Sequence, residues 1–231
     1  MRSDPSEKDR PAPATVDARS YHNPRPGLIS FLAQTIGTVG PCVLNAGWAA
    51  GPDSTGLRGL GVQVLHGSEP VAAAAVQVRS RYDRVDPCTF ADWVPPMHYG
   101  TVIVADTFEH MLARYHALAK VRDFLRGKRP LLVRSLPTVR HVSVLVNLGL
   151  RGNWHYQPAG ILDDTHLRLF TRRSALRLLG GSGYTPVACR RHGTGPFARL
   201  LERAFSSGGE FLLSQMLLAA RPLPLLQLES L

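Results

Sequence analysis

The stretch from Val43 to Glu69 constrains the fold of this chain more than any other. It holds two short apolar runs, Val43-Leu44-Asn45-Ala46 and Val62-Gln63-Val64-Leu65-His66, each followed by small residues. Runs of this length are too short for helices and suit neighbouring strands buried on both faces of a parallel sheet. Between them, Gly47 and Gly51 let the backbone turn sharply and approach a ligand, and the segment after Gly51 can open a helix whose N-terminal amides face that ligand. Glu69 stands at the tip of the second strand, where a carboxylate can hold a pair of ribose hydroxyls. This is the outline of a nucleoside-cofactor site, although a Gly-x-x-x-Gly after an apolar run is by itself more often a plain strand-to-helix turn.

The rest of the chain repeats the alternation. Apolar residues at helical spacing predict a helix between Gly27 and Gly40, ahead of a first strand at Cys42 to Asn45. A short helix starts at Pro52-Asp53-Ser54, weakened by Gly56, Gly59 and Gly61, and leads to a second strand at Val62 to His66. A helix over Val71 to Arg79, a third strand within Arg84 to Phe90 and a buried strand over Tyr99 to Asp106 follow. The spacing of Phe108, Met111, Leu112, Tyr115, Leu118, Phe124 and Leu125 predicts one long amphipathic helix closed by Gly127, then a strand at Leu131 to Ser135. Beyond that come a helix over His141 to Leu150, an aromatic loop, a helix capped by Thr171, and strands at Thr185 to Arg191 and Phe211 to Ala220. Strand and helix in regular alternation predict an α/β fold with a doubly wound, mostly parallel seven-stranded sheet, whose ligands lie at the carboxyl ends of the strands.

Composition sets the surroundings. The 231 residues, 44% hydrophobic, suffice for one domain with a sizeable core, expected over 27-222, with tails at 1-26 and 223-231. The first tail is proline-rich and reads as disordered. It lacks the apolar block of a signal peptide and no run is long enough to span a bilayer, so the expected location is cytoplasmic. Cys42, Cys88 and Cys189 lie far apart with no Cys-x-x-Cys pair, so the spacing indicates neither a disulfide framework nor a metal site. Of the net charge of +10, the excess sits in residues 110-203, which carry 17 Lys and Arg against 4 Asp and Glu. Such a field favours an anionic partner, whether a phosphorylated metabolite, a nucleic acid or a membrane surface, and equally describes a solvated arginine-rich face.

Three blocks resemble the class I S-adenosylmethionine-dependent methyltransferases. Gly47 and Gly51, then Gly67 and Glu69, are similar to the family's acid-x-Gly-x-Gly-x-Gly and Gly-x-Glu; Asn45 replaces the usual acid and Ala49 the middle glycine. Ala105-Asp106-Thr107-Phe108-Glu109-His110-Met111 resembles a segment that follows strand four in one large bacterial branch. Leu136 to His141, Trp154-His155-Tyr156 and Gly160 to Thr171, which includes Leu162-Asp163-Asp164-Thr165-His166-Leu167-Arg168-Leu169-Phe170-Thr171, look like later blocks of that branch. The resemblance spans about Gly27 to Pro222. Gly100 departs from it, standing where an acid is usual at the start of strand four.

The resemblance implies S-adenosylmethionine as cofactor, with Asn45, Gly47, Ala49, Gly51, Glu69 and Asp106 on the cofactor side and Glu69 on the ribose. Asp86 and Asp92 are both open as readers of the adenine. His166, His110 and His141 are the candidate bases, because histidine titrates near neutral pH. Arg168, Trp154, Tyr156 and Asp164 are assigned to the acceptor, Arg168 gripping an anion and Asp164 orienting His166. The expected activity is methyl transfer to oxygen or nitrogen of a small, anionic metabolite. Asn45, Ala49 and Gly100 motivate an alternative, a non-catalytic binding protein of the same fold. A nucleic-acid methyltransferase rests on the basic half alone, and the absence of an Asn-Pro-Pro-Tyr motif argues against it.

Overall fold

The computed structural model describes residues 26–36, 39–46, 53–192 and 211–224. The expectations for Gly47, Ala49 and Gly51, and nearly all of both tails, lie outside the described residues. Seven strands form one sheet: β1 (Cys42–Ala46), β2 (Val64–Ser68), β3 (Arg84–Asp86), β4 (Thr101–Ala105), β5 (Leu131–Pro137), β6 (Tyr184–His192) and β7 (Gln215–Pro222). Their order is β3-β2-β1-β4-β5-β7-β6. The first five run parallel, while β7 inserts antiparallel between β5 and β6. The winding reverses between β1 and β4, which makes the crevice at their carboxyl ends the switch point where doubly wound folds take ligands.

The helices α1 (Pro26–Ile36), α2 (Asp53–Gly59), α3 (Ala72–Val78), α4 (Arg114–Phe124), α5 (Val142–Arg151) and α6 (Arg172–Gly180) complete the fold. Strand alternation splits the core in two. Leu44, Val102, Val104 and Leu132 pack with Leu118, Phe124 and Leu179 on one face; Val43, Leu65, Ile103 and Val133 pack with Phe31, Leu57 and Ala75 on the other. All five residues of β4 and all seven of β5 are buried, so their sequences are almost wholly apolar, interrupted by Thr101 in β4 and by Arg134 and Ser135 in β5.

Three boundaries differ from expectation. The second strand begins at Val64, because Gln63 and Val64 both donate to the Pro41 carbonyl while Val62 folds back to Leu57 as part of the turn leaving α2. The last strand starts at Gln215 rather than Phe211. The long helix expected from Phe108 is split: a 3-10 turn, Phe108–His110, precedes α4, and Met111 between them is extended. The reason is tertiary. The main-chain oxygen of Glu109, which a continuous helix would spend on residue 113, instead accepts from the amides of Leu167 and Arg168 at 2.8 and 3.0 Å.

Gly40 and Gly100 touch backbone to backbone. A Cβ built on Gly40 would stand 3.1 Å from the Gly100 Cα, and the Gly100 amide donates to Cys42 at 3.0 Å. Glycine at 100, where the family resemblance leads one to expect an acid, thus serves close strand packing. At the other end of the sheet α5 is barely docked: Val144 is its one buried side chain, and Gly152 ends it in the left-handed region at φ 58°.

Candidate functional site

At the carboxyl ends of β1 and β2, Asn45 and Gly67 are register partners, which places Asn45 and Glu69 on one side of the sheet. Asn45 is fully buried and its Nδ2 donates to the Tyr82 hydroxyl at 3.0 Å. Among the described residues nothing donates to its Oδ1, nor does the buried Ser68 Oγ find a partner. Glu69 is 2% exposed, and its Oε1 accepts from the Val71 amide at 3.0 Å just ahead of α3. The edge therefore offers acceptors buried beside the switch crevice, and Asn45 Oδ1 is aimed where no described group satisfies it. Asp86 ends β3 beside it, with its carboxylate held by the Trp93 indole and Arg84; Asp92 instead closes a local turn with Thr89.

At the end of β4 the backbone kinks. Asp106, at φ 48°, is the one non-glycine residue with positive φ among the described residues, a conformation that clusters at functional sites. Its carboxylate accepts from Ser135 Oγ at 2.8 Å and Gln215 Nε2 at 3.4 Å. The kink delivers Phe108, Glu109 and His110 into the sheet edge. Glu109 is fully buried; the His110 and His166 rings meet at a tilt of 58° with centroids 4.9 Å apart; His166 Nε2 lies 4.0 Å from Glu109 Oε1. Burial above all holds His110 below the ordinary histidine range, with neighbouring His166 adding to this and the Thr165 carbonyl opposing it.

Arg134 of β5 underlies this cluster. It is fully buried, none of its side-chain nitrogens has a hydrogen-bond partner among the described residues, and its guanidinium lies 4.1 Å from the Phe108 ring centroid. Burial lowers its pKa to about 10, against the opposing pull of the Glu109 and Tyr184 charges. It remains cationic at neutral pH and places a positive charge behind Glu109.

The segment from Thr138 to Phe170 folds back over this edge, anchored by its ends through the Thr138–Phe170 bridge and by Leu167 and Arg168 on Glu109. It brings His166 to His110, but not the third histidine: His141 caps α5, its Nδ1 accepting from the Ser143 amide at 3.3 Å. Arg168 is exposed and its Nη1 donates to the Leu167 carbonyl. Asp164 is tied by its amide to Gln157, while Asp163 Oδ1 holds Thr165 and shapes the turn into His166. Trp154 and Tyr156 are 38% and 44% exposed and meet edge to face. A cavity of about 320 Å³ lies between α5 and the 153–162 stretch, with Asn147, Arg151, His155 and Ile161 on its walls.

Glu109, Arg134 and Tyr82 were not among the residues picked from sequence. Glu109 stands beside His110 in the quoted motif, so its acid was visible there; Arg134 inside an apolar run was the signal for the second. Nothing in the sequence announced that Tyr82 reaches Asn45.

This strand order, with the antiparallel β7 inside the sheet and an acid at the tip of β2, is the fold of the class I S-adenosylmethionine-dependent methyltransferases. Solved structures agree. The chain is similar to Burkholderia thailandensis 1,6-didemethyltoxoflavin-N1-methyltransferase with bound 1,6-didemethyltoxoflavin and S-adenosylhomocysteine (TM-score 0.56, 18% identity, 86% of this chain and 77% of that one). It is also similar to magnesium protoporphyrin IX methyltransferase from Synechocystis PCC 6803 with bound S-adenosylhomocysteine (0.54, 13%, 85% and 80%). A third is an S-adenosylmethionine-dependent methyltransferase from Mesorhizobium loti (0.56, 12%, 85% and 96%). No family model and no curated protein sequence matches the chain. No described helix is long and apolar enough to cross a membrane.

Proposed function

We propose that the chain is an S-adenosylmethionine-dependent methyltransferase that acts on an oxygen or nitrogen of a small anionic acceptor. The observation that carries the reading is that Asn45 and Glu69 lie on one side of the sheet at the switch point, with the buried Asn45 Oδ1 lacking a donor among the described residues. Bound S-adenosylmethionine would supply an activated methyl group on its sulfonium. Glu69 would accept from the ribose hydroxyls, as a carboxylate at the end of β2 can do. Asn45 would accept from the methionine ammonium without adding a charge.

Transfer of a methyl group from a sulfonium needs positioning more than chemical assistance. The Thr138–Phe170 segment brings His166 against His110, and the proton released by the acceptor would leave toward that pair. Arg151 and His155 on the cavity wall, set in the basic half of the chain, suit an acceptor bearing phosphate or carboxylate.

Calorimetric titration with S-adenosylhomocysteine tests this directly. The expected result is saturable one-to-one binding; no heat at millimolar ligand would overturn the cofactor reading. The specific departure at Asn45 favours one second reading, a binding protein without turnover. Saturable cofactor binding with no methyl transfer to any phosphate- or carboxylate-bearing acceptor would support it.

A further inference from the structure

We propose that Glu109, His110 and His166 form a binding site for one first-row divalent cation of the zinc type. The carboxylate and the two imidazoles each offer a ligand atom, and these atoms lie within 4.8 Å of one another. Two ligands about 2.1 Å from a tetrahedral ion stand roughly 3.4 Å apart, so His166 Nε2 and Glu109 Oε1, now 4.0 Å apart, need to close by about 0.6 Å. Their present separation is too long for a hydrogen bond. The wider pairs, up to 4.8 Å apart, need to close by at most about 1.4 Å.

The second observation is the way both rings are held. His110 Nδ1 lies 3.1 Å from the Thr165 carbonyl, and His166 Nδ1 lies 3.0 Å from the Ile161 carbonyl. A carbonyl only accepts, so each Nδ1 carries the proton and each Nε2 presents a lone pair. This is the arrangement of metal-ligating histidines, whose other ring nitrogen donates to a backbone carbonyl or carboxylate and so fixes tautomer and orientation. The turn that carries the carboxylate is held as well. Glu109 is fully buried, and its own main-chain oxygen binds the amides of Leu167 and Arg168, locking the His166 segment onto the turn that carries Glu109 and His110.

Ligand type selects the ion. Two imidazoles and one carboxylate suit zinc and its neighbours, whereas magnesium and calcium favour oxygen donors. Three protein ligands leave at least one coordination position open, as in catalytic rather than structural zinc sites. Ile161, whose carbonyl holds His166, also lines the cavity beside α5. With the cation bound, the two imidazoles are ligands rather than bases. The chain spacing concealed the site, because His166 arrives from a distant loop rather than from a compact His/Cys motif.

The test uses the full chain stripped with a chelator, titrated with Co²⁺ and then displaced by Zn²⁺, following cobalt d–d absorption and thermal melting. One equivalent of cobalt should bind with low-coordinate absorption, zinc should displace it, and either metal should raise the melting temperature. His110→Ala and His166→Ala should each weaken zinc binding about a hundredfold or more, with circular dichroism unchanged. Absence of cobalt absorption in the wild-type chain would overturn the proposal, without relying on any variant to fold. Equal zinc affinity in the folded double variant would also overturn it, locating the metal on other histidines. Titration with S-adenosylhomocysteine is scored separately: cobalt bound without cofactor binding removes the methyltransferase reading and leaves the metal site standing.

Discussion

The Asn45 amide donates to the Tyr82 hydroxyl at 3.0 Å, a buried bond that joins the end of β1 to the approach to β3 across the intervening β2. It fixes the amide so that Oδ1, not Nδ2, is the atom left for a ligand.

Tyr82→Phe should therefore lower stability by about 1–2 kcal/mol, the scale for leaving a buried donor unmatched. Urea unfolding would measure it. The freed amide should also weaken S-adenosylhomocysteine binding several-fold, and an unchanged dissociation constant would show that Asn45 does not face the cofactor.

Glu69→Gln keeps an oxygen for the Val71 amide but removes the charge. Binding of S-adenosylhomocysteine should weaken by about 1.5–3 kcal/mol, the range of charge-assisted hydrogen bonds, with little change in melting temperature. Intact affinity would move the ribose away from the end of β2.

His166→Ala should cut turnover by about a hundredfold whether the imidazole acts as base or as ligand, while cofactor affinity stays close to that of the parent. Addition of zinc separates the two roles: it should stimulate the wild-type chain after chelation and leave the variant unmoved. Loss of cofactor binding together with a lowered melting temperature would make His166 a structural residue.

Arg134→Lys retains the charge but loses the flat guanidinium over Phe108, and buries a more strongly hydrated ammonium in its place. Destabilisation of about 2 kcal/mol is expected, since a desolvated cation–π contact alone reaches about that size. A stability equal to the parent in urea unfolding would count against the stack.

His66 Nδ1 lies 2.7 Å from the Tyr99 hydroxyl. Burial first, and Arg84 next, hold its pKa below the ordinary 6.5, against Asp83 and Asp86. A folded-state value below the unfolded one means that the unfolded chain takes up the proton first. The contribution of His66 is thus complete above pH 6.5 and is lost as the pH falls from there through the folded value. His110 and His141, also depressed by burial, add to the same slope. Denaturation midpoints measured from pH 7.5 down to about 5 should fall, and less steeply in His66→Gln.

Much of this fold was legible because β4 and β5 are buried on both faces and are mostly apolar in sequence. The split before α4 was not: Phe108, Met111 and Leu112 keep helical spacing, and only the contact of Glu109 with Leu167 and Arg168 withdraws the carbonyl a helix needs. The same contact explains the site. His110 and His166 could be picked singly for their chemistry, but their meeting depends on a loop folding back, which periodicity does not encode. His141 carried an identical chemical signal and instead caps α5. Gly100 looked like a lost acid; its meaning lay in Gly40, far off in sequence and adjacent in space.

That glycine pair lies at the foot of the sheet, where β1 and β4 begin, while the candidate site stands where they end. Strands stretch very little, rising about 3.3 Å per residue, so the run from Gly100 to Asp106 acts as a rod of set length. A methyl group on Gly40 would stand 3.1 Å from the Gly100 backbone, tighter than ordinary packing, so the two strands would have to yield at the start of that rod to admit it.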